Sequence, residues 1–552
     1  MLAPLALAAA FSVVHITDVH IDPYYVLGAP LSCYCETHDA CARMPATCVV
    51  NASAADGAGP FGEPEANCAT PPALWEGAMA TLAAEQAASP ASFVLFTGDF
   101  GEAGMSASCG PDSPAQRQIT DNIARAMGAV RAAHGVPVFG VLGNHDTAPG
   151  DVFDGSEEMK WLYSSLVLSF AGAGGFSHDA QALADLSCCG WYSALSPQPG
   201  LRIVGLNTNY WTLINPLLLN ASSPASLLGT RQLDWLNSTL GAAAAAGESV
   251  FVLGHVPPTA WVAGRYDAFR AVLTAYRDTV VALFFGHDHV DEFMLIRECA
   301  PPPPPPPPPA NGTIDWQVTR GIAWCSGGNW PCGDVFHAGL QDGDAWCPLL
   351  PAGTTPAEQV ALCEGVCGNA TACKGFTYYP SSPPHGACCM RTDCSSKPPL
   401  NGSDAVCYEK PGPPPACADA AAPMHVLFVG PSLTEGYPPS NPALRRYEVA
   451  GPADRFAVVD LTTTFANLTA ANADWALAFA PEYRMSERYG VADLGAMAVQ
   501  GLVERMAADG APEWDAFYAA HTKLYVGSTP PCAGGGCKAS IIAVLNGTAM
   551  SP

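Results

Sequence analysis

The sequence predicts an α/β fold, a sheet covered by helices, with a small disulfide-rich insertion and a helical C-terminal region. Apolar strand-like runs alternate with Ala-rich helical stretches from Phe11 to about Arg297, and alternating β and α units are typical of helix-covered sheets. Nine consecutive prolines, Pro301 to Pro309, end that pattern. Ten cysteines follow between Ile314 and Lys410, and strand-like sequence returns after Pro411 to Pro415. The insertion therefore divides one sheet domain in sequence.

The predicted elements follow in chain order. Short apolar strands are expected at Val13–Thr17, Phe93–Thr97, Val138–Leu142, Val250–Leu253 and Val280–Phe285. Helices are expected between them at Trp75–Ala88, Ser113–His134, Leu228–Gly247 and Tyr266–Arg277. Beyond the insertion, strands at His425–Val429, Arg445–Val449 and Phe456–Asp460 would complete the sheet. Residues from about Ala471 to Gly510 favour helix.

Composition narrows the class of protein. The chain has 552 residues, of which 49% are apolar, so it can bury a large core in more than one domain. Its net charge is −26, from 50 acidic and 24 basic residues. Binding to a nucleic-acid polymer needs a basic face, and electrostatic adsorption to anionic membranes needs one too. We therefore expect no nucleic-acid polymer as partner and at most peripheral contact with a membrane.

Cysteines and glycosylation sequons indicate an oxidising, secretory route. The chain has 22 cysteines and eight N-x-S/T sequons. The cysteines of the insertion are expected to form disulfides, with a zinc knuckle as the alternative, and Cys532 and Cys537 could close a small C-terminal loop. Residues Met1–Ala10 have the apolar character of a signal peptide, either short or truncated. We expect a secreted or extracellular protein, or one of a lysosomal or vacuolar lumen.

Five polar motifs each follow a predicted strand before the insertion. They are Asp18-Val19-His20, Gly98-Asp99, Gly143-Asn144-His145-Asp146, Gly254-His255 and Gly286-His287-Asp288-His289. In open α/β sheets the site lies outside the carboxyl ends of the strands, so these motifs are expected to converge. Their ligand atoms are oxygens and imidazole nitrogens, which suit zinc, manganese or iron. The sequence therefore predicts a two-metal site.

The motifs and their surroundings resemble the acid sphingomyelinase branch of the calcineurin-like metallophosphoesterases. The resemblance extends to Asp18–Tyr25, Cys189–Ser193, Leu201–Tyr210, Phe284–Phe293 and Asn441–Val449. It implies a metallophosphoesterase β-sandwich flanked by helices (an α/β, or α+β, fold) and a hydrolase of phosphoric diesters. It also implies two Zn²⁺ ions bridged by Asp99. One would be held by Asp18, His20, Asp99 and His289, the other by Asp99, Asn144, His255 and His287.

The resemblance assigns catalysis to a metal-bridging hydroxide that attacks phosphorus. His145 is the candidate to donate a proton or a hydrogen bond to the developing charge, an effect of about 100- to 10,000-fold for such a group. Asp146 could orient the imidazole of His145, and the alternative is an aspartate that caps the turn after Gly143. The expected substrate is a phosphodiester, either a lipid head group such as that of sphingomyelin or a nucleotide.

Two departures from the family pattern stand out. Those enzymes carry a second histidine shortly after the Gly-Asp motif, whereas this chain continues Phe100-Gly101-Glu102. Protonation of the leaving group would fall to His145 alone or to Glu102. The first strand also begins almost at the start of the sequence. In this respect the chain resembles the family members without a saposin-like domain, which act on soluble nucleotide-type substrates as well as, or instead of, lipid. A phosphomonoesterase of the purple acid phosphatase type would need a tyrosine at the position of Glu102.

Five regions are predicted along the chain. They are residues 1–10, a signal peptide or its remainder; 11–300 with 422–470, the metallophosphoesterase domain; 301–310, a polyproline linker; 311–411, a Cys-rich insertion; and 471–552, a helical C-terminal domain. From Cys363 to Lys410 the insertion resembles PAN/apple-like modules, which bind proteins or carbohydrates. An extracellular binding or adhesion protein built around this insertion is therefore the alternative from a different class.

Overall fold

A computed structural model describes residues 9–36, 57–66, 68–102, 114–156, 159–220, 223–299, 318–320, 375–379, 387–391, 406–409, 422–436, 438–525, 532 and 535–548. The chain divides into two compact units, Met1–Cys299 with Ala418–Pro552, and Ala300–Cys417. The polyproline run and seven of the ten cysteines of the insertion lie outside the described residues.

The strands of the larger unit are β1 Ala9–Ile16, β2 Phe93–Phe96, β3 Val138–Gly140, β4 Tyr192–Leu195, β5 Leu201–Gly205, β6 Ser249–Leu253, β7 Val280–Phe285, β8 Glu292–Arg297, β13 Pro423–Val429, β14 Ala443–Ala450, β15 Val458–Ala466 and β16 Phe479–Arg484. The smaller unit contributes β9 Val318–Arg320, β10 Gly375–Tyr379, β11 Ala387–Arg391 and β12 Val406–Glu409. These four form an antiparallel sheet in the order β11-β10-β12-β9.

The α-helices of the larger unit are α1 Pro72–Ala88, α2 Pro114–His134, α3 Lys160–Leu166, α4 Gly172–Gly174, α5 Ala180–Cys189, α6 Pro224–Ala246, α7 Arg265–Ala275, α8 Leu468–Asp474, α9 Met485–Tyr489, α10 Ala496–Ala507, α11 Pro512–His521 and α12 Gly535–Leu545. A π-helical turn, Val167–Ala171, joins α3 to α4. Helix α6 shows how local sequence sets the boundaries. Ser223 caps its first turn, Pro224 occupies the first helical position, and Gly247 ends it with a φ of 70°.

Two six-stranded mixed sheets form the core of the larger unit. Sheet 1 has the order β16-β15-β14-β1-β2-β3, and sheet 2 has the order β4-β5-β6-β7-β13-β8. The sheets pack face to face, since the ring of Phe284 on β7 lies 4.9 Å from Tyr447 on β14 and 6.0 Å from His15 on β1, centroid to centroid. The predicted α/β sandwich flanked by helices is confirmed.

Parallel neighbours in both sheets direct the polar motifs to one edge. Strands β1, β2 and β3 run parallel to one another, and so do β5, β6, β7 and β13. Every residue of β6 is buried, as expected for a strand covered on both faces. The carboxyl ends of β1, β2, β3, β6 and β7 carry the five motifs. The loops that follow these strands therefore form the floor of the site.

The C-terminal region differs from the prediction in two respects. Within the stretch predicted as helix, Phe479–Arg484 is the edge strand β16, paired antiparallel with β15. Residues 471–552 also belong to the same compact unit as the sheets, and α10 packs on β13. Long-range pairing with β15 outweighs the local helix preference here. A separate C-terminal domain is therefore not what the structure has.

Two smaller predictions concern the N-terminal and C-terminal segments, and the structure can be compared with both. Strand β1 begins at Ala9, so the last two residues of the segment predicted as a signal peptide belong to the strand; residues 1–8 lie outside the described residues. The disulfide between Cys532 and Cys537 is present, as predicted. Disulfides also join Cys35 to Cys68 and the adjacent Cys188 and Cys189. No helix among the described residues is long and apolar enough to cross a membrane.

Candidate metal centre

The structure brings the seven predicted ligand residues together at the carboxyl ends of the parallel strands. One group of ligand atoms comes from Asp18, His20, Asp99 and His289, and a second from Asp99, His255 and His287. Within each group the atoms lie within 4.8 Å of one another. Asp99 belongs to both groups, which is the position that a bridging carboxylate would occupy.

Asn144 joins the second group through its side-chain oxygen. Its Oδ1 lies 3.0 Å from Nε2 of His255 and 2.9 Å from Nδ1 of His287. On its other side, Nδ2 of Asn144 donates a hydrogen bond of 2.8 Å to Oδ1 of Asp151. Sequence reasoning did not single out Asp151, and a polar loop of several residues after Asn144 was the only signal for it.

The backbone at the ligands is unusual. Five of them adopt positive φ angles: Asp18 (49°), His20 (37°), Asp99 (57°), His287 (78°) and His289 (57°). Residues other than glycine rarely occupy this region, and each such residue costs about 1–3 kcal/mol. Strain of this kind persists where the surrounding structure enforces it, and it clusters at functional sites. Its concentration at these residues marks the centre as functional.

Neighbouring glycines permit the close approach of the loops. A Cβ atom on Gly143 would collide with the carboxylate and the backbone nitrogen of Asp99, and one on Gly286 would collide with Thr17 and Asp18. Both glycines directly precede ligand residues, Asn144 and His287. A residue with a Cβ atom therefore does not fit at Gly143 or Gly286 unless these neighbours move.

Hydrogen bonds set the tautomers of two histidines. Nδ1 of His20 lies 2.9 Å from the carbonyl oxygen of Gly101, and Nδ1 of His255 lies 2.6 Å from that of Thr97. A carbonyl oxygen can only accept, so both Nδ1 atoms carry a proton, and Nε2 is the atom through which each ring would bind a metal. A hydrogen bond of this type orients the imidazole and raises its basicity toward a metal.

The facing ring nitrogens fit a cation between them. Nε2 of His20 lies 3.1 Å from Nε2 of His289, and these atoms lie 3.4 Å from Oδ2 of Asp99 and 3.3 Å from Oδ1 of Asp18, respectively. With its Nδ1 proton held by Gly101, the neutral imidazole of His20 has no proton to offer His289. A cation between them would be bound by both ring nitrogens and by the two carboxylates together.

For most of the candidate ligands, the local electrostatics favour the protonation state that binds a metal. Burial opposes ionisation of Asp18 and Asp99, but nearby histidines outweigh it and hold the pKa of each below its usual range. Burial lowers the pKa of His20 to about 4 and that of His287 to about 3, so both are neutral near pH 7. For His255, the carboxylates of Asp99 and Asp18 outweigh burial and raise its pKa to about 10. Metal binding there has to displace a proton.

The structure places His145 beside the first group. Its ring centroid lies 5.4 Å from that of His20, and its backbone amide donates a hydrogen bond of 2.9 Å to Oδ1 of Asp99. His145 and His287 are partly exposed, whereas Asp18, His20 and Asp99 are buried. His145 therefore lies at the open side of the centre, where a substrate would enter. Glu102 is buried, next to the Gly101 carbonyl that His20 contacts.

The carboxylate of Asp146 accepts hydrogen bonds from four backbone amides. Its two carboxylate oxygens accept hydrogen bonds from the amides of Asp99 (2.9 Å), Phe100 (2.8 Å), Gly101 (3.3 Å) and Gly143 (2.7 Å). These contacts match the turn-capping alternative, and they tie the loops after β2 and β3 to each other. Burial and the charge of Asp99 raise the pKa of Asp146 to about 7.

Comparison with known proteins agrees with the fold and the site. The sphingomyelin phosphodiesterase of Homo sapiens is 31% identical over 292 residues, which cover 51% of this chain and 42% of that protein. A cyclic GMP-AMP phosphodiesterase of Homo sapiens is 27% identical over 299 residues, 51% of this chain and 58% of that protein. The chain thus spans about half the length of the curated relatives that it matches.

A solved structure and a family profile complete the comparison. A dimetal phosphatase from Danio rerio aligns with 51% of this chain and 82% of its own at 18% identity, with a TM-score of 0.28, which is too low to carry an argument. The profile of the calcineurin-like phosphoesterases matches residues 11–291, a range that includes all five motifs and both groups of ligand atoms. This chain therefore belongs to the calcineurin-like phosphoesterase family.

Proposed function

We propose that this chain is a secreted, zinc-dependent phosphodiesterase of the acid sphingomyelinase-like type. The observation that carries the proposal is the pair of ligand groups sharing Asp99. Phosphodiesters are anions that resist attack by water. When bound, two Zn²⁺ ions would neutralise this charge and lower the pKa of a shared water toward about 7. The oxygen and imidazole donors are those that zinc accepts.

The residues of this chain have distinct tasks in the proposed reaction. Asp18, His20 and His289 would hold one cation and Asn144, His255 and His287 the other, and Asp99 would contribute to both. The carbonyl oxygens of Thr97 and Gly101 keep His255 and His20 in the required tautomer. His145, at the open side, donates a proton or a hydrogen bond to the charge that develops as the phosphorus–oxygen bond breaks. Asp146 keeps the loops after β2 and β3 in register.

The relatives suggest two classes of substrate and do not decide between them. The two human relatives are a sphingomyelin phosphodiesterase and a cyclic GMP-AMP phosphodiesterase. Both cleave a phosphodiester, one in a lipid head group and the other in a nucleotide. We therefore propose a phosphodiester substrate of one of these classes, and assays of both decide between them.

The test is turnover by the purified full chain after chelation and after return of zinc. Bis-p-nitrophenyl phosphate serves as the general diester, p-nitrophenyl phosphate as the monoester control, and sphingomyelin and cyclic GMP-AMP as the two candidate substrates. We expect diester cleavage that zinc restores and that His289→Ala reduces at least about 100-fold. Activity that chelation leaves unchanged, or cleavage of the monoester alone, would reject the proposal.

Secretion is supported by the disulfides, because cysteines stay reduced in the cytosol. Three bonds involve described residues, at Cys35–Cys68, Cys188–Cys189 and Cys532–Cys537. Among the sequons, Asn237 is exposed on α6. Expression in a secreting eukaryotic host should release protein that glycosidase treatment shortens in apparent mass. With Asn237→Gln, that mass change should decrease. Retention of all the protein as reduced cytosolic material would contradict this localisation.

The division of roles between the domains is likewise a proposal. Residues 311–411 would form a PAN/apple-like module that binds a protein or carbohydrate, joined by the polyproline linker 301–310. All candidate ligand residues lie outside this segment. Replacement of residues 301–415 by a flexible linker should therefore leave the catalytic rate on the general diester unchanged. Loss of activity in a folded, zinc-loaded deletion variant would show that the insertion belongs to the site.

A further inference from the structure

Asp151 holds Asn144 at two points. Nδ2 of Asn144 donates a hydrogen bond of 2.8 Å to Oδ1 of Asp151, and the backbone amide of Asp151 donates one of 2.9 Å to the carbonyl oxygen of Asn144. On the opposite side of the amide group, Oδ1 of Asn144 faces His255 and His287 at 3.0 and 2.9 Å. The side chain of Asn144 is thus held between a carboxylate and two imidazoles.

The two faces of an asparagine amide have opposite chemistry. The oxygen accepts hydrogen bonds and binds cations, whereas the NH₂ group donates and repels them. A carboxylate can only accept, so the group of Asn144 that faces Asp151 has to be the NH₂ group. A flipped amide would place two oxygens against each other at Asp151 and an NH₂ group at the metal position. Asp151 therefore selects the orientation in which Asn144 can be a ligand.

The backbone of Asp151 supports a role beyond ordinary loop structure. Its φ is 66°, in the left-handed region that residues other than glycine rarely adopt, although aspartate tolerates it better than most. The bond from its amide to the carbonyl of Asn144 maintains this conformation. This conformation also turns the carboxylate of Asp151 back toward the side-chain amide of Asn144, from which it accepts a hydrogen bond. An outlier of this kind is reasonable ground for a hypothesis of function.

We propose that Asp151 is a positioning residue that sets the amide orientation of Asn144 and thereby the affinity of the second metal position, formed by Asp99, Asn144, His255 and His287. The inference rests on the proposed two-metal function and deepens it. Asp151 belongs to neither group of ligand atoms, and its effect would pass through Asn144. Removing partners that orient a ligand in this way typically weakens metal affinity or activity by 10- to 100-fold.

The test measures zinc binding by the full chain, by mass spectrometry and by competition with a chromophoric chelator. Asp151→Ala should keep one zinc at wild-type affinity and bind the second about 10- to 100-fold more weakly. Asp151→Asn, which keeps the size and one acceptor oxygen, should lie between that variant and the wild type. Asp154→Ala is the matched control, because Asp154 lies in the same loop and its carboxylate accepts from Ser156 instead; it should bind zinc like the wild type.

A double-mutant cycle separates positioning from a general structural effect. If Asp151 acts through Asn144, then Asp151→Ala should have no further effect on zinc affinity in an Asn144→Ala background. Equal loss at both metal positions, a further loss in that background, or wild-type binding by both Asp151 variants would overturn the inference. A wild-type chain that binds fewer than two zinc ions would instead reject the proposed function itself.

Discussion

The backbone amide of Asp99 donates a hydrogen bond of 2.9 Å to Oδ2 of Asp146, and Oδ1 of Asp99 accepts one of 2.9 Å from the backbone amide of the preceding residue in that loop, His145. Asp99 and the loop after β3 thus each donate one hydrogen bond to the other. The loops after β2 and β3 behave as one piece, so a change at either aspartate should affect both.

Asp146→Ala should destabilise the protein and weaken both metal positions. The substitution leaves four buried amides without their acceptor, and each unsatisfied group costs about 1–3 kcal/mol. Chemical denaturation should show a loss of several kcal/mol. Asp179→Ala is a suitable control, because Asp179 also accepts two amides but at an exposed helix end, where the cost is about 1 kcal/mol. An Asp146 variant with wild-type stability and zinc content but a slower rate would instead indicate that Asp146 orients the imidazole of His145.

Asp99→Asn should release more zinc than loss of any other single ligand. Asp99 is the one candidate shared by both groups of described ligand atoms, and an amide offers only one neutral oxygen in place of a carboxylate. We expect fewer than one zinc per chain by elemental analysis, against about one for His289→Ala. Two zinc ions retained by Asp99→Asn would contradict a bridging role.

His145→Ala should keep its zinc and lose rate. The imidazole of His145 is partly exposed beside that of His20, and the backbone amide of His145 donates to Asp99. A general acid or hydrogen-bond donor contributes about 100- to 10,000-fold, so kcat should fall by that factor. A diester with a leaving group of low pKa, such as p-nitrophenol, should be less affected. Unchanged kcat on poor leaving groups would remove the assignment.

Stability should decrease as the pH falls from about 6.5 toward 4. Burial, together with Arg277 and Arg455, lowers the pKa of His425 from 6.5 to about 4. In that interval the unfolded chain binds a proton that the folded chain does not, so stability present above pH 6.5 is lost at about 1.4 kcal/mol per pH unit. His425→Gln should flatten the dependence of the melting temperature on pH between 7 and 5. His178→Gln, at an exposed position, should not; equal slopes in all three proteins would contradict the argument.

Sequence reasoning could predict that the five motifs converge because their convergence depends on a local pattern. Each ligand follows a strand directly, and parallel strands bring their carboxyl ends together without further information. The supporting contacts depend on long-range geometry instead. The partners of Asp146 and Asp151 are a set of backbone amides and one side-chain amide, which no spacing in the sequence reveals. Strand β16 was missed for the same reason, because its pairing with β15 is decided by tertiary contact.

The boundary of β15 shows a different limit. A strand was predicted at Phe456–Asp460, whereas the structure has Val458–Ala466. The β-branched residues Thr462, Thr463 and Thr464 favour a strand, and β15 continues through them to pair with both β14 and β16. The existence of β15 was predictable, but its ends depended on its neighbours in the sheet.

The position of β14 next to β1 has a consequence for synthesis. His15 on β1 contacts Tyr447 on β14 across 432 residues of chain. At about 5–20 residues per second of translation, the partner of β1 leaves the ribosome roughly 20–90 s after β1 itself. During that interval an apolar strand that leads directly into two of the candidate ligand residues has an unpaired edge, which is prone to aggregation. Efficient production of this protein should therefore depend on chaperones that protect the nascent N-terminal half.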